Sequence, residues 1–190
     1  MNVKDAIDIR RAYRSLIPVE ISTEMIEQLT HAIHYAPSCF NNQPWHFVFV
    51  SNIETLKKMH NSLSKGNEWA CNASMIIVAC VKKEDDCIIY DREYFLFDTG
   101  IAVAFVILQA TELGLVAHPI AGYSPKKVRE ILQIPEQYTI INLIIVGKHT
   151  TSINPVLSEK QKEAERIRPS RKPLKSVIHH NMFNPEVLNE

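Results

Sequence analysis

Apolar and β-branched residues run almost without interruption through three short stretches of this chain: Trp45–Val50, Met75–Val81 and Ile140–Gly147. Short runs in which polar residues hardly alternate with apolar ones are typical of strands that are buried on both faces. His46 is the polar exception in the first run. The sequence therefore predicts buried strands at these three places, and Leu115–Ala121 is a further candidate strand.

Stretches with helical spacing of apolar residues lie between the strands, and residues that begin or end helices stand at their limits. Ser22 is a good N-cap, Pro37 disfavours helix in the residue before it, and Gly114 is a natural residue just past a helix end. The predicted helices are Asn2–Arg11, Ser22 to just before Pro37, Ile53–Leu63, Tyr94–Leu113 and Ser124–Leu132. This order of elements predicts a mixed α/β or α+β architecture.

The length of 190 residues suits one domain, although length alone also allows two small lobes. A single domain is predicted for residues 1–150. From His149 onward the apolar periodicity is lost, and prolines recur among charged residues. Residues 151–190 are therefore predicted to form an extended C-terminal segment that wraps around another surface.

Charge and cysteine content limit which ligands and which cellular location the sequence predicts. Lys plus Arg and Asp plus Glu each number 21, so no net charge draws the chain to nucleic acid or to an anionic membrane. The most apolar stretch, Ile101–Leu108, is too short to span a bilayer and is predicted to be a buried helix. The four cysteines include no CxxC pair, and no signal peptide precedes them. Disulfides are therefore not expected, and a reducing cytoplasm is the predicted location.

Arg10, Arg11 and Arg14 place three guanidinium groups within five positions, beside the end of the first predicted helix. Planar forks of donors match phosphate oxygens, and charge-assisted hydrogen bonds are about twice as strong as neutral ones. A phosphate site is one interpretation of this cluster. The other is a solvated basic turn paired with Asp5 or Asp8, because runs of charge usually face water.

A second basic group lies far along the chain and comprises Arg166, Arg168, Arg171 and Lys172. A solvated tail without a partner is the simpler interpretation of this group. Pro169 and Pro173 stiffen the backbone, however, and so favour a fixed place for Arg171. Under that interpretation, the two distant groups converge on one phosphate.

The loop Ala36–Phe47 reads APSCFNNQPWHF and joins a predicted helix to a predicted strand. It concentrates hydroxyl, thiol and amide groups between two prolines. Polar groups on a loop that rigid elements fix at both ends often orient a polar ligand. The alternative is a turn in which asparagine side chains bond their own backbone.

Four segments together resemble the motifs of the nitroreductase family. RRAYR, which begins at Arg10, resembles its amino-terminal RRSxR motif, and PSCFNNQPWHF resembles its PSxxNxQPWxF segment. HPIAGY, which begins at His118, is similar to its PIxG strand end, and SRKPL, which begins at Ser170, is similar to its basic carboxyl-terminal motif. The four matches follow family order and span the chain from about residue 5 to residue 180.

The resemblance implies an α+β fold with a central, mostly antiparallel sheet flanked by helices, in an intertwined homodimer. Two FMN molecules would lie in clefts between the subunits, and residues 151–190 would pack on the core or on the partner subunit. The implied activity is a ping-pong hydride transfer from NADH or NADPH through FMN to a small acceptor, such as a nitroaromatic or quinone-like compound. The flavin carries the chemistry, so neither a catalytic side chain nor a metal is predicted.

The resemblance also assigns the residues that contact FMN. The phosphate and ribityl contacts would be Arg10, Arg11, Ala12, Arg14 and Arg171. The contacts from the partner subunit would be Pro37, Ser38, Cys39 and Asn41, the last of which is also suited to holding the loop. Ala121 and Gly122 would run beside the isoalloxazine ring, where a backbone N–H can bond to N5. By position, Arg14 is the candidate for stabilising the reduced, anionic flavin.

Two residues depart from the family pattern. Ala12 replaces the usual serine, which removes one hydroxyl but leaves the backbone N–H available. Ala121 stands where many members carry glutamate, so the pocket beside the flavin changes. The sequence therefore does not fix the physiological electron acceptor or the choice between NADH and NADPH.

Other interpretations stay open at this point. An FMN enzyme of the same fold could perform dehalogenation or flavin modification, with residues 82–93 as a lid. A non-catalytic module could use both arginine groups to bind RNA or another polyanion. Cys39 could be a reactive thiol rather than a small residue of the cofactor loop. His31 and His34 lack further ligands at metal-binding spacing and are predicted to lie on a helix surface.

Overall fold

The computed structural model describes residues 1–185, so residues 186–190 of the predicted C-terminal segment lie outside the described residues. The strands are β1 (Leu16–Ile17), β2 (Trp45–Val50), β3 (Met75–Val81), β4 (Ile88–Ile89), β5 (Arg92–Glu93), β6 (Val116–Ile120) and β7 (Thr139–His149). The α-helices are α1 (Val3–Ile9), α2 (Thr23–His34), α3 (Ile53–His60), α4 (Phe95–Glu112), α5 (Pro125–Leu132) and α6 (Glu159–Arg166).

One sheet of five strands organises the fold. Its order is β1-β7-β3-β2, and β6 also pairs with β7. Every one of these pairings is antiparallel. The predicted α+β fold with a central antiparallel sheet is thereby confirmed, while β4 and β5 pair only with each other, off the main sheet.

Strand β3 shows why the predicted strands are so uniformly apolar, because all seven of its residues are buried. Side chains of a strand point alternately to opposite faces. Ile76, Val78 and Cys80 belong to a core cluster with residues of α3, α5 and β6. The intervening residues of β3 belong to a second cluster, formed with α2 and α4. Helices therefore cover the sheet on both faces.

The helices begin where the capping residues predict. Ser22 Oγ accepts a hydrogen bond of 3.2 Å from the backbone N–H of Met25, and Ser124 Oγ accepts one of 3.4 Å from that of Lys127. Asn2 caps α1 in the same way. These bonds satisfy backbone donors that have no partner within the first helical turn.

Helix α4 is long and apolar enough to cross a membrane by length and hydropathy alone, with 18 residues of mean hydropathy 1.5. Its buried residues include Ala102, Val106 and Ala110, which pack in the core cluster on the α2 side of the sheet. The polar residues Asp98 and Thr99 are also buried within the protein. This helix is therefore a core helix, but the predicted buried stretch Ile101–Leu108 is not buried throughout, because Ala104 and Phe105 are exposed.

The C-terminal segment differs from the prediction, because it is not extended throughout. Helix α6 begins with a capping box, in which Ser158 Oγ and the Gln161 side chain each accept from the other's backbone N–H. The helix carries almost only polar residues, so apolar periodicity gives no sign of it. The short strands β1, β4 and β5 were also not predicted.

Candidate functional site

A cavity of about 470 Å³ opens beside the end of α1, and we call it the arginine cavity. It is lined by Arg10, Arg11, Ala12, Arg14, Lys160, Gln161, Ala164, Arg168, Pro169, Ser170 and Arg171. The five residues predicted to hold a phosphate group therefore meet in one place, although Arg171 lies at the opposite end of the sequence. Three of the lining residues, Lys160, Gln161 and Ala164, belong to helix α6 and form another wall of the arginine cavity.

Two arginines tie these distant parts of the chain together. Arg168 donates through Nη2 to the carbonyl oxygen of Asp8, at 2.6 Å, near the end of α1. Arg11 donates through Nη2 to the carbonyl oxygen of Ala164, also at 2.6 Å, near the end of α6. The last carbonyl groups of a helix have no partner inside it, so each arginine satisfies a group that needs one. The two basic segments converge because each caps the other's helix.

Glu165 fixes the backbone of the segment that carries Arg10, Arg11 and Arg14, which we call the arginine loop. Its side chain is buried, with an exposed fraction of 7% for the residue. Its carboxylate accepts a hydrogen bond of 2.7 Å from the backbone N–H of Arg14 and one of 3.0 Å from that of Ser15. Sequence reasoning missed this residue, because a buried glutamate in a polar helix has no distinguishing spacing.

The charges in the arginine cavity crowd one another. Burial lowers the pKa of Arg10, and the positive charges of Arg171 and Arg168 lower it further. Burial also lowers the pKa of Arg14, which the negative charge of Glu165 partly offsets. A pKa lowered by like charges means that a bound anion would stabilise the charged arginines. The electrostatics of the cavity therefore suit a phosphate group.

The alternative interpretation of a basic turn paired with Asp5 or Asp8 receives little support. The Asp8 carboxylate pairs with Lys4 of the same helix, at 2.8 Å, and both side chains are exposed. Asp5 lies in the first turn of α1, where its backbone N–H donates to the side chain of Asn2. The arginines instead face the cavity and the carbonyl ends of two helices.

His118 contacts the backbone of the arginine loop at Tyr13. Its Nδ1 lies 3.1 Å from the carbonyl oxygen of Tyr13, and its ring packs on Trp69 with centroids 4.7 Å apart. Because a carbonyl oxygen can only accept, Nδ1 carries the proton in this contact. Burial lowers the pKa of His118 to about 4, so the imidazole is neutral at pH 7. Trp69 itself is fully buried.

The turn after β6 contains Ala121 and Gly122, and Gly122 is held tightly. Its carbonyl oxygen accepts from Asn67 Nδ2, at 2.9 Å, and from the backbone N–H of Ser64, at 3.0 Å. A Cβ on Gly122 would overlap Asn67 Nδ2, so a larger residue here would displace the amide group that holds the turn. Ala121 is exposed. Asn67 is a second residue that sequence reasoning missed.

Ala121 and Gly122 do not line the arginine cavity. A hydrogen bond nevertheless connects the two places, because Gln161 Nε2 donates to the carbonyl oxygen of Gly66, at 3.0 Å. Gln161 lines the arginine cavity, and Gly66 neighbours Asn67, which holds Gly122. The turn after β6 is thus fixed relative to α6, one wall of the cavity.

A second cavity of about 460 Å³, which we call the loop cavity, contains three further predicted contacts. Its lining residues are Pro37, Ser38, Cys39, Phe40, Ile89, Tyr94, Phe97, Asp98 and Ile101. It shares no lining residue with the arginine cavity. One chain therefore presents the predicted contacts in separate places, and does not gather them into one pocket.

The loop behind this cavity is held largely by its own polar groups. Ser38 Oγ accepts from the backbone N–H of Gln43, at 2.9 Å, and the carbonyl oxygen of Asn41 accepts from Gln43 Nε2, at 2.9 Å. Phe40, Asn41 and Gln43 have φ values of 48°, 60° and 50°, in the left-handed region. Such conformations persist only where the surroundings fix them. Asn41 contributes to this internal bonding through its backbone.

The expectation of unpaired cysteines is wrong, because Cys39 and Cys87 form a disulfide with their Cα atoms 6.4 Å apart. The two residues are 48 positions apart, and only the fold brings residue 87 back to the loop. Cys39 is therefore not a free thiol, whereas Cys71 is free and exposed and Cys80 is free and buried. The cytoplasmic location stays a prediction, but unpaired cysteines no longer support it.

Metal ligands are not gathered anywhere within residues 1–185: no group of three or more His, Cys, Asp or Glu side chains is arranged to hold an ion. His31 and His34 are exposed on α2, as predicted for surface histidines. Each packs its ring near that of Tyr35, with centroids 4.6 Å and 5.2 Å away.

Comparison with known proteins adds the family context. The family model described as "Nitroreductase family" matches residues 7–68 and 60–148. A relative from Archaeoglobus fulgidus, whose name assigns it to NADH dehydrogenases or NAD(P)H nitroreductases, is 34% identical over 142 residues, which is 73% of this chain and 80% of that protein. The "Oxygen-insensitive NADPH nitroreductase" of Helicobacter pylori is 26% identical over 164 residues, with 68% of this chain and 78% of that protein covered. A crystal structure described as an oxidoreductase containing FMN is 27% identical and has a TM-score of 0.82, with 97% of this chain and 94% of that chain covered.

Proposed function

The chain belongs to the nitroreductase family, and we propose that it is an oxidoreductase that binds FMN and uses NADH or NADPH. The convergence of Arg10, Arg14 and Arg171 on the arginine cavity is the observation that carries this proposal. The names of relatives support the cofactors, since they include an NADPH nitroreductase and an FMN-containing oxidoreductase.

The arginine cavity fits the phosphate of FMN. Like charges and burial lower the pKa of Arg10, and a phosphate dianion beside it would remove that repulsion. We assign Arg10, Arg14 and Arg171 to the phosphate and ribityl chain, together with the backbone N–H of Ala12. Arg11 also lines the cavity, but its guanidinium already bonds the carbonyl end of α6, so its main role is to hold the wall.

FMN, when bound, supplies the hydride transfer between NAD(P)H and a small electron acceptor. The protein's part is to hold and orient it. In our proposal, the turn of Ala121 and Gly122 runs beside the isoalloxazine ring, and Asn67 keeps this turn in place. Arg14, whose backbone Glu165 fixes, is our candidate for stabilising negative charge on the reduced flavin.

A homodimer completes the site in this proposal. The loop cavity presents Pro37, Ser38 and Cys39 apart from the arginine cavity, so a second chain is the natural source of these contacts. Apolar side chains on α1 and α4 are left uncovered in the single chain. These exposed residues are Val3, Ile7, Ile9, Leu96, Phe97 and Phe105. Large uncovered apolar surfaces of this kind mark sites of association.

The proposed acceptors are nitroaromatic, quinone-like or related small compounds, reduced in a ping-pong sequence in which NAD(P)H and the acceptor use the same site in turn. The second candidate is an FMN enzyme of the same fold with dehalogenating or flavin-modifying chemistry. The observation that favours it is that Ile89, in segment 82–93, lines the loop cavity. A polyanion-binding module has no comparable support.

The absorption spectrum of the purified protein tests the proposal. We expect a yellow protein whose flavin absorbance bleaches when NADH or NADPH is added without oxygen, and returns when a nitroaromatic or quinone acceptor follows. A colourless protein that cannot be reconstituted with FMN would overturn the flavin assignment. A flavoprotein that NAD(P)H does not reduce would exclude the NAD(P)H-dependent activity and favour the second candidate.

A further inference from the structure

The Cys39–Cys87 disulfide joins two segments that lie 48 positions apart in the sequence. Cys39 belongs to the loop of the loop cavity, and Cys87 precedes the small sheet of β4 and β5. That small sheet is separate from the main sheet. Its residue Ile89 and the following Tyr94 line the loop cavity with Cys39. The disulfide therefore attaches one wall of the cavity to another.

A pair of carboxyl groups lies at the same junction. Asp98 Oδ2 accepts from the backbone N–H of Cys39, at 2.6 Å, and Asp86 Oδ1 accepts from that of Cys87, at 2.8 Å. Burial raises the pKa of Asp98, the hydrogen bond from the backbone N–H of Cys39 lowers it, and the charge of Asp86 and a side-chain hydrogen bond with Asp86 raise it. Asp86 Oδ2 is buried without a hydrogen-bond partner among the described residues. The two carboxyl groups therefore approach each other closely at the junction between the two segments.

The noncovalent bonds across the junction are weaker than the bonds inside each segment. Asn42 Nδ2 donates to Asp86 Oδ1 over 3.4 Å, a long hydrogen bond. The ion pairs Lys83–Glu93 and Lys82–Asp85 both lie within segment 82–93. The disulfide is therefore the one covalent link among the contacts that join segment 82–93 to the loop.

We propose that the Cys39–Cys87 disulfide is a thiol–disulfide exchange site for small-molecule thiols, and that its opening releases segment 82–93 from the loop cavity. Both cysteines are partly exposed, so a small thiol can reach the bond. Once the bond opens, the polar contacts of Asp86 with Asp98 and with Asn42 remain across the junction. Nothing in the sequence motifs or in the proposed flavin chemistry assigns this role.

The exchange is a two-electron reduction by two thiols. The thiolate of the first forms a bond to Cys87 Sγ, the disulfide bond breaks, and Cys39 leaves as a thiolate that takes a proton. The second thiol, as its thiolate, attacks the sulfur of the first, which releases Cys87 as a thiolate that is protonated in turn. The products are two protein thiols and one small-molecule disulfide. Attack at Cys87 rests on the proposed function, in which Cys39 faces the flavin.

The first measurement is a redox titration of the full-length protein in buffers of reduced and oxidised glutathione, quenched with acid, alkylated and mapped by mass spectrometry. We expect Cys39 and Cys87 to convert together from a linked peptide pair to two alkylated thiols. Cys71 and Cys80 serve as internal controls, because both are free already. Absence of the linked pair at every ratio, or a pair that opens only in denaturant, would overturn the proposal.

The second measurement is limited digestion with trypsin. Its cleavage sites in segment 82–93 are Lys82, Lys83 and Arg92. We expect reduction, or the variant Cys87→Ser, to increase cleavage there about tenfold, because a released segment opens more often. Cys71→Ser is the matched control and should digest like the unchanged protein. Equal cleavage in the oxidised and reduced protein would show that the bond does not hold the segment.

Neither measurement depends on the flavin. If the titration and the digestion behave as expected in a protein that does not bind FMN, the exchange site stands and the proposed function fails. If the protein is a flavoprotein but its disulfide resists thiols, the proposed function stands and the exchange site fails. Repeating the titration with FMN added shows whether the flavin protects the bond, which is expected only if Cys39 contacts it.

Discussion

Arg10 and Arg171 line one cavity, and the positive charge of Arg171, after burial itself, is the chief reason that the pKa of Arg10 is lowered. Like charges do not converge in a folded protein without something that holds them. Here the ends of α1 and α6 hold them, through Arg168 and Arg11. A cavity in which cations are held together at some electrostatic cost suits an anionic ligand.

Removal of both Arg10 and Arg171 should weaken FMN binding. We expect the double variant Arg10→Ala, Arg171→Ala to raise the Kd for FMN by about 100-fold or more, since each hydrogen bond to a charged group contributes about 1.5–3 kcal/mol. Titration of the apoprotein with FMN by fluorescence measures this change. Lys57→Ala is the control, because Lys57 pairs with Glu54 on the exposed face of α3. Equal Kd values for the two variants would show that the phosphate is bound elsewhere.

Glu165 should stabilise both the fold and the site. Glu165→Ala leaves the backbone donors of Arg14 and Ser15 without their acceptor, so we expect the free energy of unfolding to fall by about 2–4 kcal/mol. Urea denaturation measures it. Glu163→Ala lies on the exposed side of the same helix and should change it by less than about 0.5 kcal/mol. Similar values for the two variants would contradict a positioning role for Glu165.

His118 should make the protein less stable in mild acid. Burial holds its folded pKa at about 4, below the ordinary histidine value of 6.5, so the unfolded chain binds the proton more readily. The stability it contributes is complete above pH 6.5 and is lost as the pH falls toward 4, by about 2 kcal/mol between pH 7.5 and pH 5. Urea denaturation at both pH values should show a smaller loss for His118→Gln than for the exposed control His34→Gln. An identical loss in both would mean that His118 is not the responsible group.

A charge on α1 should disturb the proposed dimer. Ile7 has an exposed fraction of 52% in the single chain, and we expect Ile7→Lys to shift the protein from dimer toward monomer and to weaken FMN binding with it. Analytical ultracentrifugation checks the first effect. Ile53→Lys is the control, since Ile53 is similarly exposed on α3. An unchanged protein that sediments as a monomer with FMN bound would refute the proposed shared site.

Local patterns were sufficient for most of the helices and strands. Ser22 and Ser124 cap helices as predicted, and the uniformly apolar β3 is buried on both faces because helices cover the sheet on either side. Polar elements have no apolar periodicity, so the sequence pattern does not predict them. Helix α6 is stabilised by its capping box and by the contacts of Glu165, neither of which produces an apolar period.

The candidate site divides in the same way. The resemblance to the family motifs selects Arg10, Arg14, Gly122 and Arg171 as predicted contacts, and their residue types also suit a phosphate or a tight turn. Asn67 and Glu165 were invisible, since each acts only on a backbone group that the fold brings to it. The expectation for Cys39 failed, because spacing says nothing about a partner that returns after two strands and a helix.

The sequence by itself determined the apolar elements and the α+β class, because propensity, capping and apolar periodicity act over a few neighbouring positions, and its motifs carry the family resemblance that implies an FMN site. Only the tertiary structure decided that Arg10 and Arg171 share a cavity and that Cys39 bonds Cys87. It also separated the loop cavity from the arginine cavity. Contacts between distant residues depend on how the sheet and helices pack, and that packing is a property of the whole chain.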